Sequence, residues 1–304
     1  MDRFAWLRSA VWIAEAVPFA FLCLVFRLLP VATAARLGGC AMALIGPRLR
    51  KHRHIRHNLS IVLAHASGGR ALDEAELEHT ARAVWRNLGA VIAEYPHLEA
   101  IARRRTTVSL PASVRALIDS RQRIVALSAH LANWEIIPVI LTDAGLPLSV
   151  VYSPQANPLI ERLIGWMRPS RRCRFLPKLD AARSLLRAAS EGDSLGVLAD
   201  LRVDSGSMLP FFEVSAATTT VPIRIALRAG CTLVPLHVER EPGSRFKVVF
   251  DEPLPVAGDG ADAAAEATQG YLACLERWIA ARPGEWLCTK RRWPKGAAAA
   301  VPGR

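Results

Sequence analysis

No CxxC pair occurs among the six cysteines, and most of them lie in apolar surroundings. Zinc-ribbon and CxxC redox chemistry are thereby set aside, and reduced, buried thiols in a reducing compartment are expected. The G-x-S-x-G elbow is also missing: Ser128 has no flanking glycines, which removes a serine nucleophile of that kind. No zinc-finger spacing or aromatic RNA-binding signature accompanies the basic residues, so nucleic acid is not an expected partner. No internal repeat is visible, and no small-x-small cleavage site follows the first apolar stretch, so a signal peptide is not expected. Acidic residues are few beside basic ones: 27 Asp+Glu against 39 Lys+Arg, for a formal net charge of +12. That excess either meets an anionic partner or serves solubility. The densest basic cluster directly follows the most hydrophobic segment, and a membrane surface with anionic lipids is the better match.

What is present is a large core. With 304 residues, 51% of them hydrophobic and 22% charged, the chain can bury enough apolar surface to fold throughout its bulk. The stretch "AVWIAEAVPFAFLCLVFRLL" (10–29) is about long enough to span a bilayer, although Glu15, Pro18 and Arg27 interrupt it. It admits three arrangements: a tilted span, an interfacial helix pair, or a helix buried against the rest. Residues 1–47 are expected as a hydrophobic, membrane-associated helical segment. Next come Arg48, Arg50, Lys51, Arg53 and Arg56 with His52, His54 and His57, a cluster that favours the cytoplasmic side and anionic headgroups.

From about residue 72 to 105 the spacing predicts a helix, with Leu77, Ala81, Val84, Leu88 and Val91 on one stripe and Asp73 as N-cap. Beyond it, β-prone runs at 123–129, 147–152, 194–200, 231–239 and 246–251 alternate with helical stretches around 135–144, 157–168, 179–191, 220–229 and 264–282. That order predicts an α/β fold: a largely parallel or mixed sheet flanked by helices. Residues 291–304 read as a basic tail without regular structure.

One stretch carries chemistry. In "VALSAHLANWEI" (125–136) an apolar β-run ends and polar residues begin at once. His130 therefore sits where a strand leaves the sheet, the usual place for ligand contacts in open α/β folds. In one regular helix His130 and Glu135 would point about 140° apart. They meet only if the chain turns and the helix begins near Asn133, which would leave Glu135 in its first turn. Glu135 is then either a dipole-stabilised first-turn acid or the group that orients His130 and stabilises its imidazolium. No second His or Cys stands near His130, so no metal is expected. What remains is a histidine base acting on a hydroxyl or water supplied from outside.

These residues resemble the H-x4-D/E motif of glycerolipid acyltransferases, in the H-x-x-N-W-E form of the bacterial lipid A biosynthesis acyltransferases. Three further blocks follow in order. "YSPQANPLIERLIGWMR" (152–168) is similar to that family's Y-R-P-x-x-N-P-L segment and the arginine after it. "GVLADLRVDSGSMLPFFEVSAATTTVPIRIALRAGCTLVP" (196–235) is similar to its G-x-L-x-D-Q and F-x-P-F-F-G stretch, and "RPGEWLCTKRRW" (282–293) to its ending. The resemblance covers essentially the whole chain. Departures are Leu201 for the usual Gln, Glu213 for the glycine after two phenylalanines, and Thr289-Lys290 before the arginine pair.

The resemblance implies transfer of an acyl chain from an acyl carrier protein or CoA thioester to a hydroxyl of a membrane lipid. The acceptor would be a phosphorylated lipid A precursor; another glycolipid or phospholipid is the alternative, and a non-catalytic membrane protein of the same fold a second. The place implied is the cytoplasmic face of the bacterial inner membrane. Residues 48–290 would form the acyltransferase domain, with no cofactor. His130 would be the base and Glu135 its orienting acid, with Asn133, Arg168, Arg171, Asp200 and Arg202 binding substrate. An arginine-rich rim would also suit an acidic carrier protein.

Overall fold

The apolar N-terminal run forms a single long helix, α1 (Ala5–Leu28), with Pro18 inside it. In this computed structural model the described residues are 5–68, 72–168, 173–258 and 260–297. After α1 come α2 (Val31–Ile45), α3 (His52–Ala66), α4 (Glu74–Glu94), α5 (Leu98–Arg104), β1 (Thr106–Ser109), α6 (Ala112–Asp119) and β2 (Ile124–Ser128). The chain continues through α7 (Ile137–Asp143), β3 (Leu148–Tyr152), α8 (Pro158–Met167), β4 (Cys173–Pro177), α9 (Ala181–Ser190) and β5 (Ser194–Leu198). It ends with β6 (Ser207–Phe211), β7 (Val214–Thr218), α10 (Val221–Ala229), β8 (Thr232–Glu241), β9 (Arg245–Phe250) and α11 (Ala261–Ala281).

Seven strands form one sheet in the order β1-β9-β8-β2-β5-β3-β4, parallel except where β8 meets β9. The mixed α/β class expected from the alternating runs is the one observed. Because strand side chains alternate, Val125, Leu127, Leu195 and Val197 face one side, against residues of α3, α4, α9, α10 and α11. Ile124, Ala126, Val234 and Leu236 face the other, against α5, α6 and α7. Each such valine, leucine or isoleucine side chain, once fully buried, contributes about 1.5–3 kcal/mol. β6 and β7 make a separate antiparallel hairpin. Phe212 and Glu213 turn it with φ of 52° and 60°, the left-handed region. A glycine adopts that conformation without strain, which is the physical cost of having Glu213 there.

α1 is one helix long and apolar enough to cross a membrane, by length and composition, with mean hydropathy 2.0 over Arg8–Leu28. Only 11% of that stretch is buried, so it is not a core helix. Trp6, Val17, Phe21 and Leu28 are exposed. A polar staple ties α1 down: Asn157 Nδ2 donates to the Trp12 carbonyl and to Glu15 Oε2, both at 2.9 Å. The same Asn157 caps α8, its Oδ1 accepting from Leu159 N and Ile160 N. At the far end, His97 Nε2 lies 2.8 Å from the Phe26 carbonyl and Arg27 donates to that of Pro96.

α2 belongs with the folded body as much as with α1. Its small residues let it run close along α4: a Cβ on Gly38 would stand 2.5 Å from the Gly89 carbonyl oxygen. Asp73 caps α4 as expected, accepting from Ala75 N. At the other end, the expected boundary at 290/291 falls inside packed chain. Arg292 and Trp293 are buried, the arginine bonded to the Ala217 carbonyl and Thr218, the indole to Phe211 and Val214.

Candidate active site

The register of two neighbouring strands places the central pair. β2 and β5 run parallel with Ser128 opposite Leu198. Two residues beyond each of these lie His130 and Asp200, and His130 Nδ1 stands 2.8 Å from Asp200 Oδ1. A carboxylate only accepts, so Nδ1 carries the hydrogen and the neutral ring leaves Nε2 bare. That nitrogen has no hydrogen-bond partner among the described residues, and the side chain is 21% exposed. Trp134 holds the ring edge-on, with centroids 5.0 Å apart.

Asp200 is wholly buried and its other oxygen accepts from the Trp286 indole at 2.9 Å. Burial alone would raise its pKa; the charge of His130, the hydrogen bonds from that ring and from Trp286, and the His130 backbone N–H hold it below the ordinary value. For His130 the balance is similar. Burial acts to lower its pKa, but the Asp200 carboxylate, with a smaller contribution from Glu135, outweighs burial and raises it above 6.5. Lys290 opposes that rise, which puts an ammonium within electrostatic reach of the ring.

The expectation that Glu135 orients His130 is not met. The chain does turn at the expected point, with a 3-10 turn over Trp134–Ile136 leading into α7. That turn aims Glu135 away from the ring toward Arg168, whose Nε and Nη2 lie 3.4 Å from the two carboxylate oxygens. Arg168 stacks on Phe175 and Tyr152, 4.6 and 5.1 Å from their centroids. Tyr95 completes the group; burial first, then Glu135, push its hydroxyl well above the ordinary range. Glu135 reaches His130 through its field, not through a bond.

Asn133, expected to face substrate, is wholly buried and makes no cap bond; its Nδ2 donates to Glu94 Oε2 at 2.9 Å. Arg202 pairs with Asp204 just past Asp200. Arg171 lies outside the described residues. Arg174, on the edge strand β4, is paired with Glu191 and Asp193.

The loop between β2 and α7 is strained and heavily braced. Ala132 sits at φ 47°, a conformation that costs an L residue about 1–2 kcal/mol. Three elements hold it there. Ala132 N donates to the Glu285 carbonyl and Leu287 N to the His130 carbonyl, at 3.1 and 2.8 Å. Asn87 of α4 donates to the carbonyls of both Ala132 and Glu285. Behind them Arg240 of β8 grips both oxygens of the buried Glu94 and the Oδ1 of Asn87. Breaking such a buried ion pair costs about 3–5 kcal/mol. Arg240→Ala is therefore expected to lower the melting temperature and also the transfer rate, because the His130 loop loses its brace. A variant with unchanged melting would show that the network carries little of the fold.

Sequence reasoning gave no role to Trp286, Lys290, Asn87, Glu94 or Arg240, although the first two lie in the 282–293 block. All lie far in sequence from His130, and no local spacing marks them. Asp200 was expected among the substrate-binding residues; in the structure its carboxylate meets the His130 ring. A cleft of about 1050 Å³ also opens between α1, α5 and α8, with Arg168 among the residues that line it. Its apolar wall is Ala20, Leu24, Leu163 and Trp166; its basic wall includes Arg27 and Arg104. The arrangement as a whole is a histidine with a buried carboxylate behind it and one ring nitrogen bare. Among the described residues no group of His, Cys, Asp and Glu could hold a metal.

Among solved structures, the chain is similar to the 1-acyl-sn-glycerophosphate (LPA) acyltransferase PlsC from Thermotoga maritima. The two share 14% identity over 77% of this chain and 99% of that one, with a TM-score of 0.38. A comparison with curated proteins gives no match. The sequence from residue 3 to 295, nearly the whole chain and all of the site, matches one family, and the protein belongs to it: the bacterial lipid A biosynthesis acyltransferases.

Proposed function

We propose that this acyltransferase moves an acyl chain from a carrier-protein or CoA thioester to a hydroxyl of a phosphorylated glycolipid, a lipid A precursor, at the cytoplasmic face of the bacterial inner membrane. The observation that carries the proposal is the His130–Asp200 pair, with Nδ1 bound and Nε2 bare. An alcohol is a poor nucleophile until a base takes its proton. In this reading Nε2 removes the acceptor O–H proton as the oxygen attacks the thioester carbonyl carbon. The carbon–sulfur bond breaks, the thiolate leaves, and the imidazolium returns the proton to sulfur. Products are an ester and a thiol, with no acyl-enzyme.

Asp200 fixes the tautomer and stabilises the imidazolium formed midway. The first N–H groups of the Trp134–Ile136 turn have no partner within that turn by its geometry, and they are suited to the oxyanion. Arg168, the partner of Glu135, also lines the cleft beside α1, and an acyl or lipid chain lying there would reach toward the site. The net charge of +12 suits both an acidic carrier protein and anionic lipid.

The test is a transfer assay with purified protein, an acyl carrier protein thioester or acyl-CoA, and a panel of lipid acceptors. Product is expected with the phosphorylated glycolipid precursor, and mass spectrometry of the lipid should show the added chain. Product only with a glycerophospholipid or another glycolipid would reassign the acceptor. No thioester consumption with any acceptor would refute catalysis.

A further inference from the structure

A second cleft, of about 690 Å³, lies between the Pro47–Lys51 turn, the first turns of α3 and the start of α4. Arg48, Arg50, Arg53, Arg56, His52 and His57 line it, against one carboxylate, Glu74. Part of that positive charge is matched inside the protein. Arg56 pairs with Glu74 and Glu78, and His52 with Glu78. Arg48 donates to the Leu44 carbonyl. Arg50 and Arg53 are exposed and, among the described residues, have no carboxylate partner. His57 is the inward member: its Nε2 is buried with no hydrogen-bond partner. A buried polar atom left unpaired is unfavourable, and a ligand in the cleft would supply its partner.

The missing partner is therefore an anion with several acceptor oxygens. Guanidinium forks match phosphate in that way, and His57 Nε2, when it carries the ring hydrogen, adds one more donor. The rim says what carries the phosphate. Leu44, Ile45 and Leu49 are exposed beside it, at the end of α2 and in the turn that forms one wall. A soluble ion would leave them in water; lipid chains would cover them. We infer that this cleft binds the anionic phosphate headgroup of a membrane lipid, held by Arg50, Arg53 and His57. The site shares no residue with the His130–Asp200 pair, so it stands whatever the acceptor of acyl transfer is.

The test uses the full chain and vesicles of phosphatidylcholine with or without phosphatidic acid. Arg50→Gln/Arg53→Gln is compared with Arg115→Gln/Arg183→Gln, which removes the same charge from exposed positions on α6 and α9. With phosphatidic acid present, the first pair is expected to lose about tenfold or more in vesicle affinity, the second little. The NMR signal of His57 Nε2 is expected to move on titration with phosphatidic acid in micelles. Equal loss in both double variants would mean diffuse charge and overturn the inference. Displacement from vesicles by inorganic phosphate, or a His57 signal that does not move, would do so as well.

Discussion

Replacing His130 by alanine is expected to lower acyl transfer by about 10²–10⁴-fold, the usual worth of a positioned general base. The fold should survive. The ring is on the rim of the sheet, and the backbone around it is held by Glu285, Leu287 and Asn87 through main-chain atoms that alanine keeps. The melting temperature should therefore stay close to that of the parent protein. Thioester consumption and ester formation must both fall. Full activity in a folded His130→Ala protein would remove the histidine from the mechanism altogether.

Asp200→Asn is the second large effect, and it is more specific. Asparagine fills the same space and can still accept from the Trp286 indole, so the packing is conserved. Its amide, however, donates to Nδ1 and forces the proton onto Nε2, the nitrogen that must be bare. A loss of transfer of about 10²–10⁴-fold is expected. Glu135→Gln should behave differently, because its carboxylate meets Arg168 and not the ring. It keeps the tautomer and removes only a field, so its loss should be much the smaller. A Glu135→Gln loss equal to that of Asp200→Asn would reverse the roles given to the two acids.

That Asp200, and not Glu135, meets the ring is the main lesson about how far sequence reached. The five strands with long apolar runs, and the helices between them, were legible because side-chain periodicity survives without knowledge of neighbours. β1, "TTVS", and β4, "CRFLP", were not; they are edge strands, short and carrying polar, charged or proline residues. Around His130 the turn near Asn133 was readable, and so was the rank of Asp200 as an acid at the end of a β-run. What could not be read was strand order. Only the adjacency of β2 and β5, in a register that carries 128↔198 on to 130↔200, brings that acid to the ring. Glu135 is five residues from His130 and looked closer. The braces at Asn87, Glu94, Arg240 and Trp286 were hidden for the same reason, since each reaches the loop across the fold.

The charge state of one ring tests all of this directly. Burial would depress the pKa of His130, and the buried Asp200 carboxylate reverses that, so the histidine should titrate above 6.5. Transfer should then fall as pH drops through that raised value, since the protonated ring is no base. In Asp200→Asn the imidazolium loses its partner, and the titration should move to lower pH. Nitrogen-15 NMR of His130 in the full-length protein reads both the titration and the tautomer. The expected spectrum has Nδ1 protonated and Nε2 bare at alkaline pH, with a midpoint above 6.5 that drops in Asp200→Asn. A proton on Nε2 in the neutral ring, or a midpoint that ignores Asp200, would contradict the assignment of His130 as a base steadied from behind by that acid.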